Sequence, residues 1–63
     1  MQRAKLFEAV EYAHAAAHNA TLAAAYDKPE RAEYFARLSE DAAYAVIEAL
    51  FEARLSQPQE RAA

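Results

Sequence analysis

Tyr26-Asp27-Lys28-Pro29-Glu30 decides the fold of this chain. Pro29 fixes its own φ and pushes Lys28 away from the helical region. It then suits the first position of a new helix, where its missing N–H does no harm. Glu30 and Glu33 complement the positive start of that helix. On each side run about 25 residues of good helix formers, without glycine or proline. The sequence therefore predicts an all-α protein, a two-helix antiparallel hairpin. Helix 1 spans about 2–26, the turn 27–28 and helix 2 about 29–55, and so short a link forces the helices antiparallel. Residues 56–63, with Pro58 among them, read as a flexible tail.

A hairpin of this composition is short of apolar bulk. Ordering roughly 50 residues at about 1.5 kcal/mol each needs on the order of 3,000 Å² of apolar burial at about 25 cal/mol per Å². The hydrophobic fraction is 56% of 63 residues, but 19 of these residues are alanine, which buries little. No cysteine offers a disulfide staple. Self-association is the simplest remaining source of burial, and two hairpins side by side give a dimeric four-helix bundle.

Helical periodicity supplies a stripe on each helix. In helix 1, Leu6, Val10, Ala13, Ala17, Thr21 and Ala24 share one face. In helix 2, Phe35, Leu38, Ala42, Val46, Ala49 and Ala53 do so. Ile47, Leu50 and Phe51 widen the apolar surface of helix 2 beyond one stripe, with Tyr44 beside Phe51. A lone hairpin uses one stripe per helix, so this second flank calls for a partner. Residues 12–25 of helix 1 carry no formal charge, unlike an ordinary solvated helix. The expected interface residues are Val10, Ala17, Phe35, Leu38, Val46, Ile47, Leu50 and Phe51.

Charge and hydropathy exclude several function classes. The net charge is −3 and the pI about 5.2, which argues against non-specific binding to nucleic acid or anionic membranes. No apolar run is long enough for a membrane span, and Glu8 and Glu11 interrupt any signal-peptide core. Absence of cysteine fits a cytoplasmic location. Ser39, Ser56 and Thr21 have no base at an identifiable position, and no phosphate loop forms without glycine, so no enzyme is expected.

One pattern could hold a metal. Glu11, His14 and His18 follow one another at spacings of three and four, on one side of helix 1. Glu and His three residues apart is how di-iron carboxylate bundles aim ligands into their core. Folding about the turn puts Glu40 near the level of His14. A two-fold dimer could gather two copies of Glu11, His14 and Glu40, a donor set suited to iron, manganese or zinc. Against this, the motif is short and arises by chance in Glu-rich helices, while Glu40 lies off the main stripe and reads as solvated. On balance no cofactor is expected.

The predicted shape is similar in architecture and length to the Rop-type plasmid RNA regulators, which are dimeric helical hairpins. The resemblance implies that an acidic hairpin dimer can bind RNA through a local face; it carries no residue pattern and assigns no site. Gln2, Arg3 and Lys5 near one end and Lys28 and Arg31 near the other are the available contacts, with Asn19 between them. The centre of helix 1 has no basic residue, so no continuous phosphate track is expected. The function expected from the sequence is that of a small, non-catalytic interaction or regulatory protein. It would act through a homodimer or a partner protein whose groove accepts a helix.

Overall fold

The computed structural model describes residues 2–55 of the chain. They form two helices, α1 (Arg3–Ala25) and α2 (Pro29–Leu55), packed against each other. The tail expected at 56–63 lies outside the described residues. Lys28 and Pro29 act as their chemistry dictates. The Lys28 carbonyl accepts the amide of Ala32 at 3.0 Å, so Lys28 is the residue before the first turn and Pro29 opens it. Glu30 lies in the first turn of α2 and Arg54 in the last, both matched to the helix dipole.

α1 starts less well. Gln2 has extended φ/ψ of −79° and 118°, makes no side-chain cap and is followed by no acidic residue in the first turn. What holds this end is α2. The Gln2 amide donates to the Ala53 carbonyl at 3.3 Å, which satisfies one of the carbonyls left over at the α2 C-terminus. Beside it, the Lys5 ammonium meets Glu52 at 2.8 Å and Glu8 at 3.3 Å. The hydrogen bond to Glu52, and then that to Glu8, raises the Lys5 pKa. A raised folded-state pKa means that this contribution is complete at neutral pH and fades only as strongly alkaline pH passes the folded value.

The seam follows steps of three and four. On α2 it contains Ala32, Phe35, Ser39, Ala42, Val46, Ala49 and Ala53, all buried or half-buried. On α1 it contains Leu6, Ala9, Ala16, Asn19 and Ala23. An average step of 3.5 is that of a left-handed coiled-coil pair. The fully buried described residues are Ala9, Ala49 and Ala53, the last at 0% exposure. Facing alanines let the axes approach toward the low end of the usual 8–10 Å range.

This corrects the expected stripe of α1. Leu6 is in the seam, but Val10, Ala13, Ala17, Thr21 and Ala24 are exposed. The seam instead takes Ala9, Ala16, Asn19 and Ala23, rotated by about one residue around the helix. The reason lies across the gap. The Ser39 hydroxyl donates to the Ala16 carbonyl at 2.8 Å, an approach possible only where α1 presents a methyl group. Asn19 satisfies its amide locally, donating to the Ala15 carbonyl at 2.9 Å. Both polar groups can therefore sit in the seam without a desolvation penalty.

An aromatic cluster closes the turn end. Tyr26 stacks on Phe35 at 5.3 Å with planes 9° apart, and Tyr34 meets Phe35 edge-on at 5.1 Å. Arg31 lies 5.8 Å over the Tyr26 ring.

Two stability predictions follow from these contacts. Ser39→Ala removes one cross-helix hydrogen bond and lowers stability by about 1 kcal/mol, while Ser39→Leu, which must wedge the helices apart, costs about 1–3 kcal/mol. Urea unfolding at fixed chain concentration measures both, and a Ser39→Leu variant as stable as the parent would refute the close-approach argument. Phe35→Ala removes the centre of the aromatic cluster and costs about 2–3 kcal/mol, whereas Phe35→Leu costs under about 1.5 kcal/mol. A Phe35→Leu variant as stable as the parent would mean that ring stacking contributes nothing.

Candidate protein-interaction face

The hairpin is a layer two helices wide, so it has two broad faces. Each is fixed by rotation about the seam at ~100° per residue. α1 and α2 are antiparallel. Residues turned in the same sense from their own seams therefore emerge on the same side of the layer. The pairs Gln2–Ala53 and Ser39–Ala16 set the register, so one step along α1 matches one step back along α2.

One face gathers Val10, Ala13, Ala17, Ala20 and Ala24 from α1 with Ala36, Ala43, Ile47 and Leu50 from α2. Phe7 edges it on the outer side of α1, and Tyr44 and Phe51 on that of α2. Its large apolar residues are well exposed: Phe7 61%, Val10 49%, Ile47 63% and Phe51 56%. Charges occur toward its ends, Arg3 and Arg54 near the open end and Glu33 near the turn, with Glu40 at the rim. The opposite face is polar. It presents Lys5, Glu8 and Glu11 from α1 and Asp41, Glu48 and Glu52 from α2, including the ion pairs of Lys5, with the half-buried Leu22 and Leu38 and the exposed Tyr34 and Leu55 among them. The asymmetry matters because apolar area contributes only where a partner covers it.

The expected interface residues divide three ways. Phe35, Leu38 and Val46 are half-buried on the α2 side of the hairpin. Leu50 is half-buried at the border between seam and face. Val10, Ala17, Ile47 and Phe51 lie exposed on the uncharged side. The seam residues Ala9, Ala16, Asn19 and Ser39 escape a hydrophobic pattern because two are polar and two are alanines like their neighbours.

Glu11, His14 and His18 stand exposed on the outer side of α1, as their spacing requires. Glu40 is also exposed, but it turns toward the uncharged face, whereas Glu11 and His18 turn toward the polar one. One chain does not bring the four together. Among the described residues no group of three or more His, Cys, Asp or Glu could hold a metal ion.

The basic residues do not make a track either. Lys5 is engaged by Glu52 and Glu8, Arg37 pairs with Glu33 at 3.0 Å, and Arg31 covers Tyr26. No helix among the described residues is long and apolar enough to cross a membrane.

A functional reading thus rests on the uncharged face rather than on a pocket or a catalytic cluster. Comparison with protein families, curated proteins and solved structures found no match to this chain.

Proposed function

We propose that this protein is a small, non-catalytic helical interaction protein that works by self-association, two hairpins packing through their less charged faces, those of Val10 and Ile47, into a four-helix bundle. The observation that carries the reading is that Val10 and Ile47 stand exposed on the less charged face of the layer, with Phe7 and Phe51 exposed along its outer edges. Scattered apolar residues are normal on a surface; a continuous apolar face opposite a solvated one is not.

Size supports the proposal. Two helices of ~35–40 Å, lying ~8–10 Å apart, present a face on the order of 700 Å². A stable protein interface needs about 800 Å² per partner. The face approaches that size, so nearly all of it would have to be used. A single helix seated in the groove between α1 and α2 would touch both columns but leave the outer parts of the face uncovered. A second hairpin covers both columns at once, and it supplies the apolar burial that the alanine seam lacks. Regulation would then follow from assembly, with the polar faces and the outer tyrosines left for further partners.

Sedimentation at about 10 μM should give the mass of two chains. Ile47→Asp places a carboxylate on the face twice per dimer, at about 2 kcal/mol or more each time, and should weaken association by about a thousandfold. Tyr34→Ala, on the other side, should leave it within about threefold. A folded single-chain species whose melting temperature is independent of concentration would overturn the proposal.

A further inference from the structure

We propose that the outer side of α2, from Tyr44 to Leu55, is a docking ridge for a basic amphipathic helix of another protein. The ridge does not need self-association. Tyr44, Ile47, Phe51 and Leu55 follow one another at spacings of three, four and four. At about 100° per residue they fall within roughly 80° of arc, opposite the seam of Ala42, Val46, Ala49 and Ala53. They are 70%, 63%, 56% and 64% exposed. Ile47 also belongs to the face proposed for self-association, which Tyr44 and Phe51 edge; Leu55 lies away from it, toward the polar side. A row about three turns long and one residue wide has the shape of a helix anchor rather than of a flat patch.

Charge identifies the occupant. Glu40, Asp41 and Glu48 are exposed beside the row, and among the described residues their side chains hold no partner. Between Leu38 and Ala53 the chain has no lysine or arginine, and Glu52, the fourth acid there, is met by Lys5. Asp41 and Glu48, two turns apart, bound an open hollow with Tyr44, Ala45, Ile47 and Phe51. Carboxylates at the rim and rings within suit an arginine or lysine, whose stem covers the rings while its head meets the acids. The apolar row calls for an apolar stripe opposite it. The occupant is therefore apolar along one side and basic on the flanks of that side, and helices meet such a row ridge into groove.

The same charges exclude other occupants. A phosphate backbone or an anionic membrane would be repelled by three unpaired carboxylates. Among the described residues, a second copy brings no basic flank. Lys5, Arg31 and Arg37 are engaged in their own chain, and Arg3, Lys28 and Arg54 stand at the ends of the hairpin.

The probe is a synthetic helix of about 21 residues, three heptads with leucine at a and d and arginine at e and g. With a fluorescent label on the peptide, titration with the full chain to about 500 μM should give saturable anisotropy at one peptide per chain. The same peptide with glutamate in place of arginine should not bind, because its flanks meet carboxylates. Tyr44→Ala should weaken binding of the arginine peptide about tenfold, and Asp41→Lys with Glu48→Lys should weaken it by at least about tenfold. Glu11→Lys with Asp27→Lys makes the same change in net charge elsewhere and should leave binding within about threefold. All five positions are exposed, and helical circular dichroism checks that each variant stays folded. No binding, equal binding of the two peptides, or equal losses in the two double variants would overturn the docking ridge. A species with the sedimentation mass of one chain that binds the arginine peptide in this pattern would overturn self-association and leave the ridge intact.

Discussion

Two helices that meet through alanine can bring their backbones close but remove little apolar area from water. This constraint governs the rest of the molecule. Ala9, Ala49 and Ala53 are the buried centre of the open half. Close approach there makes room for the Gln2–Ala53 amide link, and farther along it allows the Ser39 hydroxyl to reach the Ala16 carbonyl. Leu6, Phe35 and Val46 are the large side chains that share the seam, and several others lie outside it. Phe35 finds a place in the aromatic cluster at the turn, while Phe7, Ile47 and Phe51 are turned outward. A thin seam and a greasy exterior are two sides of one arrangement.

That arrangement explains which parts of the fold are legible in the sequence. The turn is legible because Lys28-Pro29 acts locally, through φ restriction and a missing donor, and needs no tertiary partner. The α2 stripe is legible because Phe35, Leu38, Val46 and their alanines contrast with Glu33, Arg37 and Asp41 on the same helix. α1 offers no such contrast. Between Tyr12 and Ala25 alanine occupies every side, so the apolar pattern points in no direction. The seam is chosen instead by Ser39, a single non-local donor, and by Asn19, which hides its amide against its own helix. Both would be assigned to the surface on polarity alone.

The same argument separates the candidate sites. The spacing of Glu11, His14 and His18 correctly puts them on one outer side of α1, since spacing is a local property. Whether Glu40 joins them depends on the rotation of α2 about its seam. That rotation turns Glu40 toward the uncharged face and away from Glu11 and His18. The set of four exists along the sequence but not within the hairpin. The position of Ile47, Leu50 and Phe51 outside the seam was legible for the opposite reason. Three large residues outside the main stripe are a surplus whichever way α1 is turned.

The mis-assigned α1 stripe has its own physical meaning. Val10, Ala13, Ala17 and Ala24 are a periodic apolar row, and periodicity of that kind marks a contact surface without naming the contact. In the hairpin the row lies beside the seam, on the same side of the layer as Ile47 and Leu50. A helix that is apolar on two adjacent sides has two neighbours to satisfy. One is α2, reached through Ala9, Ala16 and Ala23. In the self-association we propose, the other would be a second copy, and the row's own composition restricts how it could fit. Beyond Val10 it offers only alanine, so it accepts bulk rather than providing it.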